Sequence, residues 1–439
     1  MSKNFDPIIF DLPDNIDREQ YIITTYGYTG PASINSITQS MAFAVEQSTG
    51  TWLPVPGETA AIRSEHIARI VGLYEVPNFS YEIPNYVKER HFVIRIGFPI
   101  ANFSVSFAML LTSACGNISG GGKLKVLDFE FPKSWLKELG GPKFGVPGMR
   151  KLLNVPKRPL LNNMIKPCCG LTPEVTAKFA YEAALGGVDV IKDDELIANA
   201  AYSSITDRVT KVMEALKRAE DIKGETTIYT VNITDRADKL KENAYRAIEA
   251  GANGLMMNCW TIGLDACASI LQDPNINVPV LFHPDLTGSL YASPDMGLSA
   301  ELIQAKLPRI AGFDMGIVLS PYGKFPMIPD KFSQICLAHT SPLHNIKPSW
   351  AMPGGGTTQG HVENTIRELG NDVMIAAGGA VHGHPMGATA GAKAFRQAID
   401  IVVAGHSVKE SKGQFKELDA AIDAWGTYEE QKEIFDLKS

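Results

Sequence analysis

The sequence predicts an α/β protein in which an α+β, ferredoxin-like N-terminal domain precedes a (β/α)8 barrel. Three observations support this prediction. The chain has 439 residues, which is too long for one ordinary domain. After about residue 150, eight short apolar runs alternate with longer amphipathic segments, as the β-then-α units of a barrel do. Before residue 150 the pattern is mixed, with separate strand-like and helix-like segments.

The predicted domains are an N-terminal arm at 1–16, the α+β domain at 17–150, and the barrel with its helical C-terminal tail at 151–439. The glycine- and proline-rich stretch at 140–148 marks the boundary. In the α+β domain we expect strands at 21–28, 91–99 and 124–131, and helices at 36–47, 64–71 and 101–115. We expect the barrel strands at 160–166, 188–192, 227–234, 254–260, 278–283, 315–320, 346–352 and 373–379.

Composition and charge argue against several classes of protein. The net charge is −7 and no Lys/Arg-rich block occurs, which argues against a nucleic-acid-binding protein. No apolar stretch reaches the roughly 18 residues needed to cross a membrane, and the acidic, proline-interrupted N-terminus is unlike a signal peptide. The six cysteines have neither metal-ligand nor disulfide spacing. We therefore expect a cytoplasmic protein.

Polar residues follow the predicted barrel strands at their C-terminal ends, where a barrel places its chemistry. The most informative run is GGVDVIKDDE at 186–195, in which strand two ends in a lysine and three acids. Strand one ends at Lys166 and strand five at His283. The other strand ends carry Asn232, Asn258, a loop that ends at Lys324, the glycines 354–356, and Gly378 with Gly379.

The acidic run after strand two predicts a metal site. Alternate side chains share a face of a strand, so Lys192 and Asp194 point the same way and Glu195 follows them. Neighbouring carboxylates repel unless a cation lies between them, and oxygen ligands suit Mg²⁺. Lys192 fits either as an ion-pair partner or as a carbamate formed with CO₂. A solvated acidic turn is the alternative, but the position on the barrel rim favours the metal site.

The remaining rim residues suggest a reaction class. The glycine loops after strands seven and eight predict a phosphate site, because exposed backbone N–H groups bind phosphate. Lys166 next to the metal could move protons, and His283 could be a proton carrier, a polar clamp or a core histidine. A metal, a base, a lysine and a phosphate site suit proton abstraction beside a ketone through an enediolate.

The chain resembles the ribulose-bisphosphate carboxylase (RuBisCO) large-chain superfamily over nearly its whole length. GGVDVIKDDE resembles the activation motif of that family, and IKP with GLT at 165–172 resembles its catalytic-lysine motif. The resemblance implies a carbamylated Lys192 that binds Mg²⁺ together with Asp194 and Glu195, and a catalytic Lys166. The segments around Glu46 and Asn117 resemble those that reach the active site of a partner subunit, which implies at least a homodimer.

The departures from the family pattern concern one end of the substrate. Cys168 stands where true carboxylases have a second lysine, Pro284 replaces an arginine, Gly354 replaces a serine, and the strand-six histidine is missing. The arginine, histidine and serine belong to one of two phosphate sites, and each charge-assisted hydrogen bond contributes about 1.5–3 kcal/mol. We therefore expect a type IV RuBisCO-like protein that acts on a monophosphate, not a ribulose-bisphosphate carboxylase. Lys324 is a candidate for the lysine of the strand-six loop. The retained phosphate site comprises Thr51, Trp52, Gly356, Gly378 and Gly379.

Three functions remain open. The first is a Mg²⁺-dependent lyase or isomerase for a phosphorylated keto sugar or sugar acid such as 3-oxo-isoapionate 4-phosphate. The second is a methionine-salvage enzyme, either an enolase for 2,3-diketo-5-methylthiopentyl-1-phosphate or an isomerase for 5-methylthioribulose-1-phosphate. Its thioether substrate needs an apolar pocket, which Pro284, Leu286 and Met352 would permit. The third is a non-catalytic regulatory protein, against which the complete set of metal ligands argues.

Overall fold

The computed structural model describes residues 7–51, 55–325 and 327–428. These residues form two compact units. The first comprises residues up to 139 together with 286–303, and the second comprises 140–285 together with the chain from 304 onward. Across the described residues, no helix is both long and apolar enough to span a membrane.

The first unit contains a mixed five-stranded sheet. Its longer strands are β1 (Tyr21–Pro31), β2 (Arg69–Glu75), β3 (Glu89–Pro99) and β4 (Lys123–Glu130). They lie in the order β4-β1-β3-β2 and are antiparallel, while the short strand Gly297–Leu298 pairs parallel to β4. The helices of this unit are Ser36–Glu46, Ala60–His66, Phe107–Ala114, Lys133–Leu139 and Thr287–Tyr291, with 3-10 turns at Pro7–Ile9, Ile100–Asn102 and Asn117–Gly120.

The expected helix at 64–71 was wrong. The Thr59 side chain caps a helix that begins earlier and ends at His66, and β2 then starts at Arg69. Ile70 and Val71 are buried in the sheet, where β-branched side chains pack well. The expected helix at 101–115 is also shorter, because the Ser106 side chain caps it and accepts a hydrogen bond from the Met109 N–H.

The second unit is an eight-stranded parallel barrel, as the sequence predicts. The strands are β5 (Leu160–Met164), β6 (Val190–Lys192), β7 (Ile228–Asn232), β8 (Gly254–Asn258), β9 (Val280–His283), β10 (Met315–Leu319), β11 (Trp350–Gly354) and β12 (Met374–Ala377). They lie in the order β11-β10-β9-β8-β7-β6-β5-β12, and a bridge between Ala351 and Val373 closes the ring. The α-helices of this unit are Gly145–Leu153, Pro173–Leu185, Ile205–Lys223, Leu240–Glu249, Cys259–Ile262, Leu264–Leu271, Leu307–Ala311, Pro329–Thr340, Val362–Leu369, Gly379–His382, Ala388–Val403 and Lys416–Trp425, with a π-helical segment at Leu302–Lys306 and a 3-10 turn at Gln359–His361.

The core of the barrel is apolar and closed at the N-terminal ends of the strands. The helix Gly145–Leu153 inserts Val146 and Met149 among inward-facing strand residues such as Leu160 and Trp350. Burying each such side chain stabilises the fold by about 1.5–3 kcal/mol. Polar side chains lie at the opposite end of the barrel, where the strands finish.

Candidate active site

Strand alternation sets which polar side chains face the interior at the barrel mouth. Val190 belongs to the interior core, so Lys192, two residues later, points to the same side. The register pairs Met164 with Lys192 on neighbouring strands, and pairs Asn258 with His283. The strands therefore bring the predicted polar residues of β6 to β9 to one rim.

Two lysine–carboxylate pairs lie side by side on this rim. The fully buried Lys192 donates from Nζ to Glu195 Oε2 at 2.8 Å and to the Asp193 carbonyl oxygen at 2.8 Å. Lys166 Nζ lies 2.6 Å from Asp194 Oδ2 and 2.9 Å from Cys168 Sγ. The structure thus groups four of the predicted residues.

The charges of these pairs shift one another's pKa values. Burial tends to raise the pKa of Glu195, but the positive Lys192, with a smaller electrostatic contribution from His283, outweighs it and holds that pKa at about 2. Burial also opposes ionisation of Asp194 and Lys166, yet their mutual hydrogen bond lowers the pKa of Asp194 and raises the pKa of Lys166. Both carboxylates are ionised and Lys166 is protonated near neutral pH.

Asp193, the remaining acid of the run, has a structural role. Its Oδ2 lies 3.0 Å from Nη2 of the fully buried Arg208 and accepts from the Asn232 N–H at 3.0 Å. Tyr229 donates a further hydrogen bond to it. These contacts occupy its oxygens and leave Asp194 and Glu195 as the acids of the site.

His283 links this cluster to a carboxylate that the sequence analysis missed. Its Nε2 lies 3.2 Å from Glu195 Oε2, and its Nδ1 lies 3.2 Å from Asp285 Oδ2. One donor atom from each of these three residues lies within 4.8 Å of the others. The signal for Asp285 was its position two residues after the strand-five histidine, at the same rim.

Two asparagines hold the acidic turn in place. The Asn232 Nδ2 donates to the carbonyl oxygens of Asp194 and Glu195 at 3.3 and 3.2 Å. The Asn258 Nδ2 donates to the Glu195 carbonyl at 3.0 Å, while its Oδ1 is buried without a hydrogen bond. Both asparagines fix the backbone that presents the carboxylates.

The donor set fits Mg²⁺. Asp194 and Glu195 supply ionised carboxylates, and Asn258 Oδ1 is a buried oxygen that lacks a partner. The Lys192 ammonium already lies against Glu195, and a carbamate on that nitrogen would replace its positive charge with anionic oxygens. These residues could therefore hold a hard divalent cation.

Of the two glycine loops, the one after β12 lies close to Lys166. A β-carbon on Gly378 would stand 3.3 Å from Cε of Lys166, whereas one on Gly379 would meet open space. Gly356 has a φ of 94°, in the region that favours glycine, and the neighbouring Gly355 carbonyl accepts from the Lys324 N–H at 2.8 Å. The Lys324 side chain is exposed, with Nζ 5.2 Å from the centre of the Phe325 ring.

The other predicted residues lie in the first unit. The Asn117 Nδ2 donates to Glu46 Oε1 at 3.0 Å, so these two are brought together. The Thr51 hydroxyl donates to the Thr49 carbonyl at 3.0 Å. Trp52 lies outside the described residues.

One of the three residues considered for an apolar pocket lies in the barrel core. Met352 is fully buried in the barrel core, because it shares the interior face of β11 with Trp350. Leu286 belongs to the first unit and is half exposed. Pro284 directly follows the end of β9, and Leu286 lies two residues further along the same turn.

Comparisons with protein families match nearly the whole chain. Residues 12–135 match the ribulose bisphosphate carboxylase large chain, N-terminal domain, and residues 145–324 and 328–425 match its catalytic domain.

Curated relatives cover most of the chain. A ribulose bisphosphate carboxylase-like protein of Archaeoglobus fulgidus is 47% identical over 90% of this chain and 91% of its own length. A 2,3-diketo-5-methylthiopentyl-1-phosphate enolase of Bacillus cytotoxicus is 35% identical over 92% of this chain and 97% of its own.

Solved structures share the fold. A rubisco-like protein (MtnW) from Alicyclobacillus acidocaldarius superposes with a TM-score of 0.85 at 31% identity, covering 93% of this chain and 100% of that one. A dimeric archaeal Rubisco from Hyperthermus butylicus gives a TM-score of 0.84 at 26% identity, covering 95% and 98% of the two chains.

Proposed function

The chain belongs to the ribulose bisphosphate carboxylase large-chain family, and we propose that it is a RuBisCO-like enolase for 2,3-diketo-5-methylthiopentyl-1-phosphate or a closely similar phosphorylated diketone. The observation that carries the proposal is the pair of lysine–carboxylate contacts, Lys166 with Asp194 and Lys192 with Glu195, at the barrel mouth. The relatives that are named enolases favour this substrate over the sugar acid 3-oxo-isoapionate 4-phosphate, which was our first expectation.

The proposed reaction moves one proton. The bond from C1 to its hydrogen breaks, a C1=C2 double bond forms, and the C2 carbonyl oxygen gains a proton, so atoms and charge balance. Lys166, held protonated by Asp194, donates to the carbonyl oxygen. His283, whose ring lies between Glu195 and Asp285, accepts the proton from C1.

The proposed cofactor is Mg²⁺, held by Asp194, Glu195 and a carbamate formed from CO₂ on Lys192. When bound, the metal supplies positive charge that stabilises the enediolate oxygen. Asn232 and Asn258 keep the two carboxylates in place through their hydrogen bonds to the backbone of the acidic turn. Removal of Mg²⁺ with a chelator, or of bicarbonate, should abolish activity.

The proposed phosphate site combines backbone N–H groups at Gly356, Gly378 and Gly379 with Thr51 and Trp52. Gly378 packs on the aliphatic part of the Lys166 side chain. A phosphate bound at this glycine would therefore lie close to the Lys166 amine, the proposed proton donor. Thr51, Trp52, Glu46 and Asn117 would act from a partner subunit of a homodimer. We also propose a cytoplasmic location, with which the six free thiols agree.

The test is proton exchange in D₂O with Mg²⁺ and bicarbonate. Each candidate phosphate would be incubated with the protein, and deuterium at the carbon beside the ketone would be followed by NMR. We expect exchange in the diketo phosphate and none in 3-oxo-isoapionate 4-phosphate or 5-methylthioribulose-1-phosphate. Reaction of a sugar substrate alone would restore the lyase or isomerase hypothesis, and no exchange in any compound would favour the non-catalytic one.

A further inference from the structure

The amine of Lys166 contacts a thiol as well as a carboxylate. Its Nζ lies 2.9 Å from Cys168 Sγ and 2.6 Å from Asp194 Oδ2. The aliphatic part of the lysine packs against Gly378, since a β-carbon there would stand 3.3 Å from its Cε. The proposed reaction uses the contact with Asp194 and leaves the contact with sulfur unexplained.

The next thiol along the chain has a different partner. Cys169 is exposed, and its Sγ lies 3.6 Å from the Leu196 carbonyl oxygen. Cys168 is partly exposed, so a molecule as small as hydrogen peroxide can reach it. Oxidised Cys168 would therefore meet the amine of Lys166 first, whereas a disulfide between the two cysteines would have to break both existing contacts.

We propose that Lys166 and Cys168 form a redox modification site, at which hydrogen peroxide joins the two side chains through one bridging oxygen atom. In the first step the thiol takes up an oxygen and becomes a sulfenic acid, while one peroxide is reduced to water. In the second step the ammonium gives its extra proton to the solvent, and the sulfenic oxygen bonds to the nitrogen. The O–H bond and one N–H bond break, and a second peroxide takes up both hydrogens to give two waters.

The distance between the two atoms favours an oxygen bridge over a direct bond between sulfur and nitrogen. A separation of 2.9 Å is too long for bonded atoms, but one inserted oxygen can span it with little movement of either side chain. Burial raises the pKa of the Cys168 thiol, although the Lys166 ammonium opposes this shift. A thiol of raised pKa is oxidised slowly, so the site should respond only to an excess of oxidant.

The bridge would inactivate the proposed proton donor. A nitrogen bonded to oxygen is a weak base, so it would no longer carry the positive charge that pairs with Asp194. This loss of activity rests on the proposed function, whereas formation of the bridge does not. Two equivalents of a dithiol would return the amine, the thiol and one water, so the modification is reversible.

The test is mass spectrometry of one tryptic peptide. Trypsin does not cleave before proline, so Lys166 and Cys168 remain together in the peptide 158–178. The protein, with Mg²⁺ and bicarbonate, would be treated with excess hydrogen peroxide, alkylated with iodoacetamide and digested without a reductant. We expect this peptide to gain one oxygen, to lose two hydrogens and to carry an alkyl group on Cys169 alone. Treatment with dithiothreitol before alkylation should give two alkylated cysteines.

Variants separate the bridge from a product of equal mass. A disulfide between Cys168 and Cys169, together with a sulfoxide on Met164, would have the same mass but no alkylated cysteine. Cys169→Ser cannot form that disulfide and should still form the bridge. Cys168→Ser and Lys166→Arg should each form none, the second because it lacks the amine.

Proton exchange in the diketo phosphate gives a second readout. Peroxide should lower the exchange rate of the wild type and of Cys169→Ser by about 10²-fold or more, the usual contribution of a general acid. Dithiothreitol should restore both rates. Cys168→Ser, compared with its own untreated rate, should resist peroxide.

The outcomes distinguish this inference from the proposed function. A sulfinic acid on Cys168, or a disulfide with Cys169, in place of the bridge would overturn the inference even if activity falls. If the bridge forms but the untreated protein exchanges protons in none of the diketo phosphates, the modification site stands and the proposed function fails. Full activity in the bridged protein would support the modification site and contradict the role of Lys166 as proton donor.

Discussion

The two ends of the barrel use charge in opposite ways. At the N-terminal end, Arg158 makes two hydrogen bonds of 2.7 Å to Asp189, which also accepts from the Leu161 N–H at 2.8 Å. At the C-terminal end, Lys166 and Lys192 share one small site with two adjacent acids. The first arrangement ties strands together. The second gathers two adjacent acids, each paired with a lysine, at the end of the barrel where the strands finish.

The contrast extends to the buried polar groups around each end. Asp314, at the start of β10, is fully occupied by the backbone N–H groups of Phe144, Gly145 and Val280. At the mouth, the buried Asn258 Oδ1 and Thr357 Oγ1 have no hydrogen bond. Proteins rarely leave buried polar atoms unpaired, so these two oxygens at the mouth are candidates for contacts with a bound ligand.

The largest expected effect is at the mouth. Lys192→Met should reduce proton exchange by about 10²–10⁴-fold, because the variant cannot form the carbamate. NMR in D₂O measures the effect. The matched control is Lys217→Met, an exposed lysine whose partners are surface acids, and it should change nothing. Equal activity in the two variants would show that Lys192 does not take part in the reaction.

The next effect is at the closed end. Asp189→Ala leaves the Arg158 guanidinium and the Leu161 N–H without their acceptor, so the free energy of unfolding should fall by about 3–5 kcal/mol. Urea titration measures this fall in the free energy of unfolding. Below its melting temperature the variant should retain wild-type kcat. A variant of unchanged stability and reduced kcat would contradict the division of roles between the two ends.

A smaller effect is expected from Asp314→Asn. The amide has one oxygen for the Phe144 and Gly145 N–H groups, and its NH₂ then faces the Val280 N–H. One unsatisfied buried donor costs about 1–3 kcal/mol, measurable as a shift in urea midpoint. If the variant is as stable as the wild type, the three hydrogen bonds to Asp314 do not stabilise the closed end of the barrel.

The smallest effect concerns pH. Burial, with the positive Arg309 nearby, lowers the pKa of His339 from 6.5 to about 3. The folded state therefore takes up a proton less readily than the unfolded state, and stability falls as the pH drops below 6.5. The loss approaches about 1.4 kcal/mol per pH unit. His339→Gln should be less sensitive than the wild type between pH 6.5 and 5.5. If the free energy of unfolding falls equally with pH in the wild type and in His339→Gln, this histidine is not a cause of the loss of stability.

The comparison of the two ends also explains what the sequence could predict. The barrel was predictable because eight apolar runs recur with helical segments between them, and because lysine, acid, asparagine and histidine residues follow several of these runs. Lys192, Asp194 and Glu195 were recognisable since they lie within four consecutive residues. The partner of His283 was not, because the contact of Asp285 with the ring depends on the turn after β9. The helix expected at 64–71 was wrong because its second half, including the β-branched Ile70 and Val71, belongs to strand β2.

The most direct test of the central claim is a carbamate measurement on Lys192. The protein would be incubated with ¹³C-bicarbonate and Mg²⁺, and its ¹³C spectrum compared with that of Lys192→Met. We predict one carbamate carbon in the wild type, absent from the variant and lost with activity when bicarbonate is removed. A wild-type protein that enolises the diketo phosphate at full rate without bicarbonate and without a carbamate signal would contradict the account.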